Sequence, residues 1–188
     1  MKVAITGGIG AGKSFVCQRL RLHYIDVYDC DEAAKRLMTS SAPLKKALCR
    51  LVGKDVYLSS SVLNKPLLAK FLLESEANQQ ALNDIVHPAV ARDFMESGKD
   101  WLESAIFFDS GFNRRIDVDM VLCVSAPLEV RLRRIMERDD ISREKALEWV
   151  HRQLPQEEVE RRSDYVILND GVADIDQQIK HILTLQNS

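Results

Sequence analysis

The sequence has no apolar run long enough to span a bilayer, and no basic leader followed by an apolar stretch precedes its first predicted strand. A membrane helix needs about 20 apolar residues, and a secretory signal needs both a basic and an apolar part. We therefore expect a cytoplasmic protein with no membrane partner.

Cysteine is scarce and scattered. The cysteines form no C-x-x-C pair, and they lie at Cys17, Cys30, Cys49 and Cys123. Metal sites use recurring short cysteine spacings, and disulfide frameworks belong to oxidising compartments. We expect reduced thiols with no role in metal binding.

Neither sign of charge is in excess. The 26 basic and 28 acidic residues give a net charge of −2, so the chain has no global field that would attract nucleic acid, and any anion must be bound locally. At 188 residues, without an internal repeat or low-complexity linker, it fits one compact unit or one core with smaller appendages.

The first fourteen residues contain the strongest motif. The apolar run 3–5 leads into a glycine cluster and then a helix-like stretch, and Gly7, Gly12, Lys13 and Ser14 fill the pattern G-x-x-x-x-G-K-[ST]. Glycines let successive N–H groups turn toward one anion, which a helix N-terminus also attracts. A glycine-rich turn before an ordinary helix is the alternative, but the flanking strand and helix favour a nucleotide phosphate site. There Lys13 would reach the terminal phosphates and Ser14 would bind Mg²⁺.

A second predicted strand, residues 24–31, ends in acids. Residues two apart in an extended chain point to the same side, so Asp29 and Asp31 would project together at the carboxyl end of the strand, where ligands bind in open α/β sheets. Asp31 could instead be the N-cap of a helix over 32–38. Beside a phosphate loop, a catalytic or metal-linked role is favoured.

Residues 39–98 have mainly helical spacings of apolar residues, with helix starts predicted at Pro43, Pro66, Glu76 and Pro88. This stretch is far longer than a crossover between parallel strands requires, so we expect a helical subdomain that binds the second substrate. His87 directly precedes the helix predicted to begin with Pro88. The local pattern favours a capping or packed histidine over a site residue.

Three further strands are predicted at 103–109, 119–124 and 165–168. The first is almost continuously apolar, as in a buried parallel strand, and it ends at Asp109, which resembles the acid that closes a Walker B strand. A final helix over 174–185 should pack its apolar face on the sheet.

An arginine-rich section, residues 127–140, lies between the last two strands. Arg131, Arg134 and Arg138 recur at spacings of three and four and would share one helix face. One interpretation is a solvated face neutralised by neighbouring acids. The other is a mobile lid whose arginines stabilise a phosphoryl group during transfer.

Taken in order, these motifs resemble those of dephospho-coenzyme A kinases over nearly the whole chain. The matching stretches are 6–14, Asp29-Cys-Asp31, His87-Pro88, Phe108-Asp-Ser-Gly111, Arg138-Asp139 with Ser142-Arg-Glu144, and 164–171. A phosphate loop alone would indicate only a superfamily. The resemblance implies an α/β fold of the P-loop kinase type: a parallel five-stranded sheet with flanking helices, a helical substrate-binding insert and a helical lid.

The resemblance also implies the roles of the site residues. Asp31 resembles the general base of the family, with Lys13 and Arg138 as the other catalytic residues. His87 and Asp109 join Asp31 as residues that bind the acceptor. The residues implied to bind ATP are Gly8, Gly10, Ala11, Gly12, Lys13, Ser14, Phe15, Asn169 and Gly171, with Ser14 as the Mg²⁺ ligand.

The implied reaction is transfer of the γ-phosphoryl group of ATP to the ribose 3′-hydroxyl of dephospho-coenzyme A, the last step of coenzyme A biosynthesis. The implied nucleotide-binding core is 1–38, 99–126 and 163–188, the acceptor-binding subdomain is 39–98, and the lid is 127–162. Nucleic acid is not an expected partner, and the oligomeric state stays open.

Three rival functions remain: another small-metabolite or nucleoside monophosphate kinase, a GTP-dependent switch, and a noncatalytic ATP-binding module. The switch is disfavoured because Asn64-Lys-Pro-Leu67 lacks the aspartate that closes an Asn-Lys-x-Asp guanine motif.

The chain departs from the family pattern at three places. Phe15 stands where threonine is usual, Ala105 where proline is common, and Asn64-Lys65 where Asp-Arg is usual. Phe15 removes a hydroxyl near the α-phosphate but no backbone donor, and the third departure affects the expected acceptor contacts. None removes a residue assigned to the chemistry.

Overall fold

The computed structural model describes residues 1–185. The predicted nucleotide-binding core extends to residue 188, so its last three residues lie outside the described range. The chain forms two compact units. One contains residues 1–28 and those from 99 onward, and the other is Asp29–Gly98. The role of residues 127–162 as a lid stays a prediction.

The described elements are short strands and helices in alternation. The strands are β1 (Val3–Thr6), β2 (Val27–Asp29), β3 (Tyr57–Ser59), β4 (Val62–Leu63), β5 (Trp101–Glu103), β6 (Met120–Ser125) and β7 (Tyr165–Leu168). The helices are α1 (Lys13–Arg21), α2 (Cys30–Ser40), α3 (Ala42–Val52), α4 (Lys65–Glu74), α5 (Glu76–Glu96), α6 (Leu128–Asp139), α7 (Arg143–His151), α8 (Gln156–Arg161) and α9 (Ile175–Leu185).

The first unit is built on a five-stranded sheet in the order β2-β5-β1-β6-β7. Ala4 of β1 pairs in parallel with Leu102 of β5 and with Val121 of β6, and Val124 of β6 pairs in parallel with Ile167 of β7. The predicted parallel α/β sheet is confirmed. After β1 the chain first forms β2 and β5 on one side of β1, and later β6 and β7 on the other side. The carboxyl end of β1 therefore lies at the switch point where ligands bind in such sheets.

Buried polar side chains gather at this carboxyl edge. Thr6 ends β1, Ser104 follows β5, Ser125 ends β6 and Asn169 follows β7, and each of the four is at most 6% exposed. A buried polar group without a hydrogen bond costs about 1–3 kcal/mol. The edge is therefore organised by polar contacts, one of which is the bond from the Asn169 N–H to the Ser125 carbonyl at 2.7 Å.

Two apolar clusters stabilise the first unit. In the main core, Val16 and Leu20 of α1 and Ile179 of α9 pack with Ile5 of β1, which confirms that the apolar face of the last helix is buried. The second cluster joins buried residues of α6 and α7 to a residue of the phosphate loop: Leu132, Ile135, Ala146 and Ile9. The arginine-rich helix α6 is thus anchored by its apolar face.

The second unit contains α2 to α5 and the hairpin formed by β3 and β4, which the sequence analysis did not predict. Helix starts near Pro43, Pro66 and Glu76 are confirmed. Each of these helices begins with a side chain that accepts the N–H three residues further on, which satisfies one otherwise unpaired donor. The capping residues are Ser41, Asn64 and Ser75.

The predicted helix break at Pro88 is wrong. Helix α5 is continuous over Glu76–Glu96 with Pro88 inside it, although proline removes one helical hydrogen bond. Val86, Val90 and Phe94 lie four residues apart and are at most 5% exposed, so burial of one apolar face outweighs the local cost. No helix among residues 1–185, α5 included, is long and apolar enough to cross a membrane.

The predicted strand over 103–109 is wrong beyond its first residue. Strand β5 ends at Glu103, and the apolar residues that follow form a turn in which the Ser110 N–H donates to the Ile106 carbonyl at 3.1 Å. The ring of Phe107 packs edge-to-face against those of Phe108 and Phe112, with centroids 5.3 and 6.3 Å apart. The apolar run therefore reflects aromatic packing and not strand pairing.

The second strand is also shorter than predicted, because α2 begins at Cys30. The Asp29 carboxylate accepts the N–H of Glu32 at 2.9 Å and is the N-cap of this helix. The alternative assignment of Asp31 as the cap is therefore wrong. Asp29 and Asp31 do not project from one strand, since Asp31 lies in the first turn of α2.

Leu122 is fully buried in β6, an interior strand of the sheet. We expect Leu122→Ala to lower the free energy of unfolding by about 2–5 kcal/mol, because the truncation removes apolar contacts and leaves a cavity. Leu22→Ala is the matched control at a side chain that is 64% exposed, and its effect should stay within about 0.5 kcal/mol. Urea denaturation would compare the two, and equal effects would contradict the placement of β6.

Candidate active site

Three glycines of the phosphate loop, residues 7–14, have backbone conformations that residues with a side chain rarely adopt. Their φ angles are +139° at Gly7, +78° at Gly10 and +92° at Gly12. Lys13 then begins α1, so the loop leads directly into a helix N-terminus. The glycines therefore set the path of the loop.

The space around the loop is equally restrictive. A Cβ at Gly7 would lie 2.2 Å from the carbonyl oxygen of Val124, and a Cβ at Gly12 would lie 2.1 Å from Nδ2 of Asn169. The loop backbone thus packs directly on the end of β6 and on the residue that follows β7. A bare backbone at a helix N-terminus fits the polyphosphate of ATP.

Side chains hold alternate carbonyl groups of the loop from outside. Three donors each lie 2.9 Å from a loop carbonyl oxygen: Lys13 Nζ to Gly7, Arg131 Nε to Ile9 and Asn169 Nδ2 to Ala11. In a planar trans peptide the N–H points away from the carbonyl oxygen. These bonds therefore fix the planes of the following peptides, and the N–H groups of Gly10 and Gly12 point away from Arg131 and Asn169.

Lys13 lies beside an acid that the sequence analysis missed. Its ammonium is 3.8 Å from Oε1 of Glu103, and the two side chains are 11% and 14% exposed. Glu103 ends β5, the strand that pairs with β1. Its signal in the sequence is the only charge within the stretch 101–108.

Asp109 has a different environment from the one predicted. Its carboxylate is exposed and accepts the N–H of Leu154 at 2.8 Å, in the segment between α7 and α8. The comparison with an acid that closes a Walker B strand is wrong, because β5 ends at Glu103. Its assignment to acceptor binding stays a prediction.

The three arginines of α6 divide into two groups. Arg131 is 4% exposed, and Arg134 is partly buried, with Nη1 3.3 Å from the Ala11 carbonyl and Nη2 3.3 Å from Asn169 Oδ1. Arg138 is exposed and donates to Asp139 at 2.6 Å. A solvated face therefore describes Arg138 only. Arg134 belongs to the site, although the resemblance to the family implied a catalytic role for Arg138 only.

Four residues predicted to bind ATP line one groove of about 540 Å³ with Arg134. They are Gly12, Phe15, Asn169 and Gly171. The ring of Phe15 is 47% exposed, so it presents an aromatic surface at the groove.

An ion pair at the groove was not predicted. Nε of Arg19 in α1 donates to Oδ1 of Asp176 in α9 at 2.6 Å, and both residues line the groove. This hydrogen bond lowers the pKa of Asp176 below its usual value. Arg19 follows Phe15 by four residues, so it lies on the same face of α1.

Asp31 and His87 belong to the second unit. Asp31 is exposed in the first turn of α2, and His87 is partly buried in the middle of α5, not at a helix start. Their predicted roles as base and acceptor-binding residue stay predictions.

Ser14 is the second residue of α1 and is exposed. Among residues 1–185, no group of three or more histidine, cysteine or acidic side chains is placed to hold a metal ion. A Mg²⁺ ion at this site would therefore need the Ser14 hydroxyl together with oxygens of the nucleotide and of water.

The family model of dephospho-CoA kinase matches residues 1–174. The chain belongs to the dephospho-CoA kinase family. A dephospho-CoA kinase from Bacteroides fragilis is 38% identical over 190 residues, which cover 97% of this chain and 91% of the relative. One from Bacillus cereus is 34% identical over 179 residues, covering 90% and 88%. The predicted resemblance is confirmed.

Solved structures share the fold over nearly the full chain. TT1252 from Thermus thermophilus has a TM-score of 0.81 at 32% identity, covering 98% of this chain and 96% of that one. A dephospho-CoA kinase from Campylobacter jejuni has a TM-score of 0.67 at 22% identity with the same coverage. A shikimate kinase from Acinetobacter baumannii has a TM-score of 0.59 at 17% identity, covering 98% and 91%. The last two show the fold alone.

We expect Gly12→Ala to raise the dissociation constant of ATP at least about tenfold, because the new Cβ would collide with Asn169 and deform the loop. Gly98→Ala is the control, since Gly98 has a φ of +72° but no atom within 4 Å of the added Cβ. It introduces similar backbone strain without the collision. Calorimetric titration with ATP would separate the two, and equal losses would attribute the effect to strain alone.

Proposed function

We propose that this protein transfers the γ-phosphoryl group of ATP to the ribose 3′-hydroxyl of dephospho-coenzyme A and so forms coenzyme A. The observation that carries the proposal is the phosphate loop at the N-terminus of α1, whose glycines leave no room for side chains. The chain that contains this loop belongs to the dephospho-CoA kinase family. Positioning and charge stabilisation dominate phosphoryl transfer, and a rigid backbone cradle supplies both.

The loop binds the donor phosphates. N–H groups of the loop and of the first turn of α1 face the β- and γ-phosphate oxygens, and the ammonium of Lys13 neutralises their charge. Glu103 keeps this ammonium near the loop at 3.8 Å. The nucleoside occupies the groove between Phe15 and Gly171, where Arg134 already contacts the loop.

Mg²⁺ is the expected companion of ATP, bound by the Ser14 hydroxyl and phosphate oxygens. When bound, it neutralises charge that develops on the β- and γ-phosphates during transfer. The exposed position of Ser14 at the start of α1 leaves its hydroxyl available for this contact.

Asp31 orients the acceptor hydroxyl and takes its proton as the bond to phosphorus forms. His87 and Asp109 contribute to acceptor binding. Arg138 releases its hydrogen bond to Asp139 and donates instead to an oxygen of the transferring phosphoryl group. Because an exposed ion pair contributes only about 0–1 kcal/mol, this exchange has a small cost.

The reaction is tested by incubating the purified protein with Mg-ATP and dephospho-coenzyme A. We expect mass spectrometry to detect coenzyme A, with fragmentation that places the new phosphate on the ribose 3′-oxygen. Chelation of Mg²⁺ should abolish product formation. Phosphorylation of shikimate or of a nucleoside monophosphate in place of dephospho-coenzyme A would overturn the proposed acceptor.

We expect Asp31→Asn to lower kcat at least about 100-fold, because the amide cannot accept the proton of the hydroxyl. Its dissociation constant for ATP should stay within about twofold of the wild-type value, since the donor phosphates are bound elsewhere. Glu32→Gln is the matched control: Glu32 is the next residue, is exposed, and pairs with Lys35. Near-normal turnover of Asp31→Asn would remove Asp31 from the mechanism.

A further inference from the structure

We infer that Arg131 is a positioning residue for ATP: it holds the Ile9 carbonyl from behind the phosphate loop and thereby directs the Gly10 N–H toward the donor phosphates. The inference rests on the proposed function, because it concerns the same nucleotide site. The lid hypothesis would place the Arg131 guanidinium on the transferring phosphoryl group, whereas the structure places it on the Ile9 carbonyl.

The contacts of Arg131 tie three elements together. Nε donates to the Ile9 carbonyl at 2.9 Å, and Nη1 donates to Oε1 of Gln156 at 3.0 Å. The Gln156 amide is itself fixed, because its Nε2 donates to Ser125 Oγ at 2.6 Å and to Glu160 Oε1 at 2.9 Å. The guanidinium therefore cannot turn away from Ile9 without breaking a connected set of bonds.

Ile9 is held on both of its backbone groups. Its carbonyl accepts from Arg131, and its N–H donates to Oε1 of Gln153 at 2.7 Å. Its side chain packs against the cluster that contains Leu132 and Ile135 of α6. Residue 9 is thus fixed by α6 and by the segment that follows α7.

Fixing Ile9 also fixes the peptide that it shares with Gly10. The carbonyl of residue 9 and the N–H of residue 10 lie in one plane and point in opposite directions. A carbonyl held toward Arg131 therefore turns the Gly10 N–H away from α6. Gly10 needs this freedom of conformation, since its φ is +78° and a Cβ would lie 2.7 Å from the Arg131 carbonyl.

The charge of Arg131 supports the same role. Burial lowers the pKa of its guanidinium, but arginine stays protonated in proteins. In the described part of the chain its hydrogen-bond partners, Ile9 and Gln156, are neutral. A buried cation is costly. The nearby charge of Glu157 offsets part of this cost, and the phosphates of a bound nucleotide would offset more of it.

The test compares Arg131→Gln with Arg133→Gln by calorimetric titration with ATP. Glutamine is shorter and neutral, so at position 131 it loses the bond to Ile9. Arg133 lies on the same helix and is exposed, so its replacement makes the same change of charge away from the loop. We expect the dissociation constant of ATP to rise about tenfold in Arg131→Gln, and to change less than about twofold in Arg133→Gln.

Steady-state kinetics separates positioning from a role in folding. We expect Arg131→Gln to raise KM for ATP, with kcat lowered no more than about threefold and KM for dephospho-coenzyme A within about twofold. Equal ATP affinities of the two variants would overturn the inference. A parallel loss of kcat, both KM values and Tm would assign Arg131 to folding alone and would also overturn it.

A second variant displaces the Arg131 guanidinium without removing its charge. A Cβ at Gly8 would lie 2.3 Å from Nη2 of Arg131, an atom that glutamine lacks. We expect Gly8→Ala to weaken ATP binding in the wild-type background, and to weaken it less when Arg131→Gln is already present. Strictly additive losses would contradict the contact.

The calorimetric titrations with ATP are independent of the acceptor. If wild-type protein binds ATP but makes no coenzyme A, the proposed function fails while the comparison at position 131 still stands. If coenzyme A forms and the two arginine variants bind ATP equally, the function stands and the inference fails.

Discussion

The close packing of the phosphate-loop backbone is the constraint on which the site depends. Val124, Asn169 and the backbone of α6 lie so near the loop that a Cβ at Gly7, Gly10 or Gly12 would come within 2.7 Å of one of them. The loop is therefore shaped by the elements behind it. Because alternate carbonyls are bonded outward, the intervening N–H groups are oriented before any ligand binds, which reduces the reorganisation that binding requires.

This arrangement explains why buried polar residues gather at one edge of the sheet. Parallel strands end together there, and Ser125 and Asn169 can bond to each other and to the elements that contact the loop. Helix α6 contributes both apolar and charged side chains to this part of the site. Leu132 and Ile135 anchor it in an apolar cluster, while Arg131 and Arg134 reach the loop carbonyls. Packing and electrostatics of the site therefore depend on one helix.

Much of the fold followed from local patterns, and the errors have identifiable causes. The sheet, the loop and the last helix were predicted correctly because their apolar periods agree with their final environment. Pro88 was read as a helix start, but the apolar face around it is buried as one surface. The predicted strand over 103–109 is wrong after Glu103, because its phenylalanines pack in a turn. An apolar stretch indicates burial but does not by itself indicate the backbone conformation.

The sequence by itself determined the nucleotide-binding motif, the family and the parallel α/β architecture, because these depend on residue types at fixed local spacings. Only the tertiary structure decided which acid lies beside Lys13 and which arginines reach the loop. Glu103 and Asp109 differ by six positions, and Arg131, Arg134 and Arg138 share one periodicity. Where a strand ends, and which turn of a helix faces the loop, is set by long-range packing that no local pattern contains.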